Sequence, residues 1–274
     1  MDPTLNLDLV SFDLTNSGQT GGAVIIGGYR GNSYTGSAGD DWIYGQGGID
    51  NLVGGDGNDH LFGGSDGDTL KGGSGNDTIW GGDKNEKDFD SVESKFDTVD
   101  YSESSNPIKI TMDLSNASSS FSIEDGTGHT DTLYSIEKLI GTTGDDKIYM
   151  DGRIPNNAKI SIDAKAGQHD LLSFKGYLDT KGFKLGINND GTGGVIKNKS
   201  GGNGTITLSN FKTDIIGSDY ADDIEDQSDS DHKIHAGDGD DIITVGGHHA
   251  IVGGEEGDDV IHHQFIPRHL GAAL

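Results

Sequence analysis

Residues 36–80 read GSAGDDWIY, GQGGIDNLV, GGDGNDHLF, GGSDGDTLK and GGSGNDTIW, five consecutive units of nine. The first place is always glycine (Gly36, Gly45, Gly54, Gly63, Gly72) and the sixth always aspartate (Asp41, Asp50, Asp59, Asp68, Asp77). The eighth is always Ile or Leu (Ile43, Leu52, Leu61, Leu70, Ile79). Self-similarity at a short fixed period marks a solenoid, whose repeats bury their apolar faces only by stacking on one another. Early glycines permit a turn in which carbonyls converge with no Cβ in the way. The closing polar–aliphatic–polar triplet is a short strand with one inward side chain. Turn plus strand uses all nine residues, so two units complete one coil. Each strand then stacks on its equivalent one coil away at about 4.8 Å.

The whole chain has 274 residues, with 46 acidic against 19 basic, a net charge of −27 at pH 7, and only 31% hydrophobic residues. Without a pattern, low hydrophobicity with high like charge is the mark of disorder. Here the acidic residues are 38 Asp and only 8 Glu, and Asp beside Gly belongs to turns and metal loops. Coiling sets these aspartates in rows, one above another, where they repel. A hard divalent cation held by carboxylate and carbonyl oxygens removes that repulsion. Ca²⁺ suits the task better than Mg²⁺ because it accepts flexible, carbonyl-rich shells. Calcium is therefore expected as a folding ligand, with three or more ions.

The charge argues against nucleic acid as a partner, since phosphate binding needs clustered Lys and Arg. No apolar run approaches the roughly 20 residues of a membrane-spanning helix. No basic stretch followed by an apolar one opens the chain as a cleavable signal would. The absence of cysteine removes disulfides and thiolate metal sites.

The five units resemble the GGxGxDxUx nonapeptides of the RTX (repeats-in-toxin) family. The resemblance implies an all-β fold, a right-handed parallel β-roll, with Ca²⁺ between successive turns on each side. In that family an ion takes the carbonyls of places two and four and the Asp of one turn. It also takes the carbonyls of places one and three and the Asp of the turn 18 residues on. Carried over, this implies a first site at Ser37, Gly39, Asp41, Gly54, Asp56 and Asp59. A second uses Gln46, Gly48, Asp50, Gly63, Ser65 and Asp68, and a third Gly55, Gly57, Asp59, Gly72, Ser74 and Asp77. A fourth pairs Gly64, Asp66 and Asp68 with Gly81 and Asp83, where the pattern breaks.

The remainder divides into a β segment at 1–35, the first block at 36–102, a β-rich region at 103–216, a degenerate second block at 217–262 and a tail at 263–274. Ile108, Ile110, Met112 and Leu114 alternate with polar residues, a strand signature. The stretch 133–140 reads equally as a helical turn or a strand. A lone unit, GTTGDDKIY, stands at 141–149. In the second block GSDYADDIE and AGDGDDIIT carry Asp222 and Asp241 in sixth place, separated by a ten-residue DQSDSDHKIH that slips the register. One or two ions are expected there, joining Gly237, Gly239 and Asp241 to Gly253, Glu255 and Asp258.

No catalytic residues are assigned. Residues 63–67 satisfy G-x-S-x-G, but that elbow needs a strand-to-helix turn, and here the repeat dictates the spacing. His248-His249, His262-His263 and His232/His235 read as surface positions, since adjacent residues on a strand face opposite ways. Residues 172–212 hold six Lys and two Asp. This local excess of positive charge either complements acidic parts of the same molecule or contacts an anionic cell-surface glycan. The RTX resemblance implies a secreted, extracellular protein exported by type I secretion machinery. The expected role is a non-catalytic, structural or adhesive β-roll that folds on meeting external Ca²⁺. The alternative is the C-terminal module of a larger secreted toxin or enzyme (lipase, protease or alginate epimerase).

Overall fold

The computed structural model describes residues 4–6, 11–13, 20–82, 95–114, 120–156, 158–165, 167, 169–187, 193–210, 213–227, 233–246 and 251–263. Within the repeats, β3 (Val24–Ile26), β4 (Ser33–Thr35), β5 (Trp42–Gly47), β6 (Asn51–Asp56), β7 (His60–Ser65), β8 (Thr69–Ser74) and β9 (Thr78–Trp80) succeed one another. A strand does not pair with the next in sequence but with the one after it. β3, β5, β7 and β9 run parallel in one sheet, with Ile25, Ile43, Leu61 and Ile79 in register. β4, β6 and β8 do the same in the other, with Tyr34, Leu52 and Leu70 aligned. Two sheets wound from one chain at two strands per coil are a parallel β-roll.

Alternation along each strand sends the middle residue of the triplet inward. Ile25, Tyr34, Ile43, Leu52, Leu61, Leu70 and Ile79 are at most 1% exposed and belong to a single apolar cluster. Outward-pointing neighbours stack as well. Tyr44 and Phe62, then Phe62 and Trp80, lie 4.6 Å apart between ring centres, and Trp42 lies 4.1 Å from His60.

Beyond the repeats the coil does not stop. The stretch left open between helix and strand forms two strands, β13 (Thr130–Tyr134) and β14 (Lys138–Ile140). Ser135, at φ 52, makes the corner between them. β13 continues parallel to β9. It then pairs antiparallel with β12 (Ser120–Glu124), which pairs antiparallel with β11 (Lys109–Leu114). β11 hands the sheet back to the parallel direction at β15 (Lys147–Gly152). The other sheet makes the same excursion. β20 (Thr205–Ser209) lies parallel to β16 (Lys159–Asp163), β19 (Gly193–Asn198) is antiparallel to both β20 and β18 (Phe183–Ile187), and β18 lies parallel to β22 (Asp223–Asp226).

Several of these strands hold their place by burying two or three apolar side chains. Ile110, Met112 and Leu114 on β11 are examples. Phe174 and Phe183 stack at 3.6 Å, and Tyr177 meets both edge-on. The result is two 13-stranded sheets that run from the segment before the first block to His263 at the end of the second. In the second block the slip is absorbed once. Ile224 aligns with Ile243 across β22 and β24 (Ile242–Val245), a step of 19, and Ile243 with Ile261 of β26 (Val260–His263), a step of 18.

Candidate metal centres

Each sixth-place carboxylate is built into the backbone through one oxygen. Oδ1 of Asp59 accepts the N–H of Asp41 at 2.8 Å, Oδ1 of Asp68 that of Asp50 at 2.7 Å, and Oδ1 of Asp77 that of Asp59 at 2.8 Å. These bonds span one coil and satisfy an N–H that the turn leaves outside the strand ladder. The column extends where the repeat was not read. Asn32 donates its N–H to Asp50 Oδ1, Asp68 to Asp97, Asp77 to Asp131, Asp97 to the Glu137 carboxylate, Asp146 to Asp170 and Asp222 to Asp241. All but Asn32 of these column members carry a carboxylate two residues before a buried apolar side chain. That D-x-aliphatic signal was present in the sequence without the glycines that made the first block conspicuous. Asn32 marks one further unit, GGYRGNSYT at 27–35, hidden by Asn in the sixth place.

The second carboxylate oxygen tells a different story. Oδ2 of Asp50, Asp59, Asp68, Asp77 and Asp241 is buried and accepts no hydrogen bond, and these residues are at most 1% exposed. A buried carboxylate oxygen without a partner is strongly unfavourable. Those of Asp50, Asp59 and Asp68 point to a place where another oxygen also points. A Cβ on Gly45 would lie 2.2 Å from Asp50 Oδ2 and 2.5 Å from the Gly63 carbonyl. One on Gly54 would lie 2.2 Å from Asp59 Oδ2 and 2.5 Å from the Gly72 carbonyl, and one on Gly63 would lie 2.3 Å from both Asp68 Oδ2 and the Gly81 carbonyl. Oxygens of successive coils thus converge on a point that only the missing Cβ leaves open. Burial pushes the Asp50 carboxyl up to about 6. Burial and neighbouring carboxylates push Asp59 and Asp241 up to about 7 and Asp68 and Asp77 to about 8. Oxygen-only donors, converging and poor in compensating positive charge, fit a hard cation such as Ca²⁺. Among the described residues no group of three or more His, Cys, Asp or Glu side chains could hold a metal.

Parts of the four ligand sets of the first block lie together. Asp41 converges with Gly54 at a Gly36 Cβ position, 2.2 Å from each, and Asp50, Asp59 and Asp68 converge with Gly63, Gly72 and Gly81 as above. The carbonyls of Ser37, Gln46 and Gly55 abut the second-place residue of the next coil, at Gly55, Gly64 and Gly73. Ladder pairing brings Gly47 beside Ser65 and Asp56 beside Ser74. Gly48, Gly57 and Asp66 hold left-handed φ in the fourth place, whereas Gly39 does not. Asp83 lies outside the described residues.

The second block needs a correction of one residue. Asp258 is exposed, and its N–H bonds the Asp240 side chain. The column carboxylate is Asp259, whose Oδ1 accepts the Asp241 N–H at 3.2 Å. The frame therefore starts at Gly254, not Gly253, and the third-place carbonyl, bonded by the Gly239 N–H, is that of Glu256 rather than Glu255. The doublets Gly253-Gly254 and Asp258-Asp259 made the two frames look alike. Asp222 stays in the column, but Ser218 bonds both its oxygens.

His232, His248 and His249 lie outside the described residues, and His262 and His263 are exposed. Of the lysines at 172–212, Lys184 and Lys199 both pair with Asp223, at 2.9 and 2.8 Å. Lys199 also donates to the Ala221 carbonyl. Part of that local charge is thus used within the fold.

Set beside known protein families, residues 26–61, 35–70 and 62–83 match the RTX calcium-binding nonapeptide repeat (4 copies). The matched stretch begins one residue before the Asn32 unit and ends where the described turns of the first block end. Over this stretch the chain is similar to a run of calcium-binding RTX repeats. No curated protein matches the chain.

Proposed function

We infer that this chain is an extracellular, calcium-dependent β-roll with a structural or adhesive role and no catalysis of its own. The observation that carries the reading is the set of buried Asp Oδ2 atoms without a partner, of which those of Asp50, Asp59 and Asp68 converge with a carbonyl of the next coil. Ions there hold successive coils together. At cytosolic calcium the same carboxylates drive the coils apart. Loops of the weak extracellular kind bind at about 10⁻⁴–10⁻³ M, so the chain stays expanded inside a cell and folds outside it. A tenfold excess of ion over Kd stabilises the fold by roughly 1.4 kcal/mol per site, and several sites acting together make the transition steep. At least three ions are expected, in line with the convergent sites of the first block.

The test is far-UV circular dichroism in EGTA followed by titration to millimolar Ca²⁺, with calorimetry for stoichiometry. A cooperative gain of β signal with three or more ions supports the reading. An unchanged spectrum across the titration overturns it.

A further inference from the structure

A sixth-place carboxylate is served in one of two ways, and the second-place residue of its own turn separates them. Where that residue is Gln46, Gly55, Gly64, Gly73 or Gly237, its φ lies between 75 and 119. The carboxylates four residues on, Asp50, Asp59, Asp68, Asp77 and Asp241, are the ones whose Oδ2 has no partner.

Where the second-place residue is Ser37, Thr142 or Ser218, its φ is not left-handed, and the turn closes on itself. The main-chain N–H donates to Oδ2 of Asp41, Asp146 and Asp222 at 2.5, 2.9 and 2.8 Å. The hydroxyl donates to Oδ1 of the same residues at 3.0, 2.8 and 2.8 Å. In return it accepts the N–H of fourth-place Gly39, Gly144 or Tyr220. Donors from the chain stabilise the charge that elsewhere awaits an ion. Glycine cannot do this because it has no hydroxyl. A left-handed second residue does not do it either, since its N–H is not on Oδ2.

The hydroxyl turns are placed with regularity. Ser37 and Ser218 stand at the head of the two blocks, and Thr142 in the lone turn between them. Asp131, on the edge of the first excursion, is closed in its own way. The Tyr101 hydroxyl donates to its Oδ2 at 2.6 Å. Between Tyr101 and Asp226, three of the column carboxylates, Asp131, Asp146 and Asp222, thus have protein donors on both oxygens. Several strands there bury two or three apolar side chains, β11 and β18 three each, whereas the strands of the repeats bury one, or two on β7.

Resting on the calcium reading above, we propose that a second-place Ser or Thr takes the place of an ion. The stretch 101–226 then folds without calcium and serves as the template on which both flanking ion-requiring runs assemble. Calcium acts on the two ends of the molecule and not on its middle.

Hydrogen–deuterium exchange of the full chain, in EGTA and in millimolar Ca²⁺, tests this. In EGTA the amides of β11–β22 are protected, while those of β5–β9 and of β24 and β26 exchange freely and gain protection only with Ca²⁺. Thr142→Val, which removes the hydroxyl, loses protection of β15 in EGTA, and Thr142→Ser retains it. If the middle exchanges as fast as the ends in EGTA and gains protection together with them, the partition is overturned and the calcium reading stands. If calcium protects nothing anywhere, both fall. If Thr142→Val matches the unaltered chain, the hydroxyl has no such role. If Thr142→Val fails to fold while Thr142→Ser folds, the hydroxyl is required as proposed.

Discussion

Withdrawing calcium makes the first block sensitive to pH in the direction opposite to ordinary acid denaturation. In the metal-free fold the carboxyls of Asp50, Asp59, Asp68 and Asp77 titrate at about 6, 7, 8 and 8, against 3.8 when exposed. The folded state therefore binds more protons than the unfolded one between pH 4 and 8, and stability falls as pH rises. The contribution is fully present below about 3.8 and is lost on passing the folded values. Shifts of roughly two to four units, at about 1.4 kcal/mol each, make every one of these groups worth on the order of 3–6 kcal/mol. A domain's whole stability is about 5–15 kcal/mol, so the loss of these contributions together is expected to unfold the block at pH 8.

Both tryptophans of the chain, Trp42 and Trp80, lie on the stacked aromatic columns of this block, and their emission reports it alone. In EGTA the emission is expected to be native-like near pH 4.5 and red-shifted at pH 8. With millimolar Ca²⁺ it is native-like at pH 8 without acid. The comparison belongs in about 0.5 M KCl, where repulsion among exposed charges is screened but that among buried carboxylates much less so. Emission that stays native-like in EGTA at pH 8, or that shifts to the red on acidification, refutes the argument.

Three further outcomes follow from single contacts. In Gly54→Ala the new Cβ would sit 2.2 Å from Asp59 Oδ2 and 2.5 Å from the Gly72 carbonyl. Calorimetry should show one ion fewer and denaturant titration in Ca²⁺ a loss of about 1–3 kcal/mol, while Gly186→Ala, with nothing within 4 Å of its Cβ position, serves as a near-neutral control. Tyr101→Phe takes the hydroxyl from Asp131 Oδ2 and leaves a buried acceptor unmet. A loss of about 1–3 kcal/mol is expected, read as a lower thermal midpoint. Phe174→Ala empties the place between Phe183 and Tyr177 and should cost about 3–5 kcal/mol, measured by guanidinium unfolding.

How much of this was legible depended on what each place in the turn demands. Gly at place one and Asp at place six were read directly in 36–80 because both recur there without exception, one leaving room for the converging oxygens and the other supplying one. Asn32 concealed a unit since its side-chain carbonyl occupies the same column without the charge. Asp131, Glu137 and Asp170 were passed over because the antiparallel excursions replace the glycine turns, leaving only the D-x-aliphatic trace. At the end of the second block, paired glycines and paired aspartates offered two frames. Only the pairing of Ile243 with Ile261 chose the one with Asp259.

The sequence by itself determined a two-strand coil, its inward aliphatic column and its need for hard cations. Those follow from local geometry repeated at fixed spacing, which a linear text displays. Only the tertiary structure decided which carboxylates lack a partner. A donor such as Tyr101, 30 residues from Asp131, reaches its oxygen through the stacking of coils. A second-place residue reveals whether it turns its N–H toward or away from the carboxylate only once its φ is set by the coils above and below.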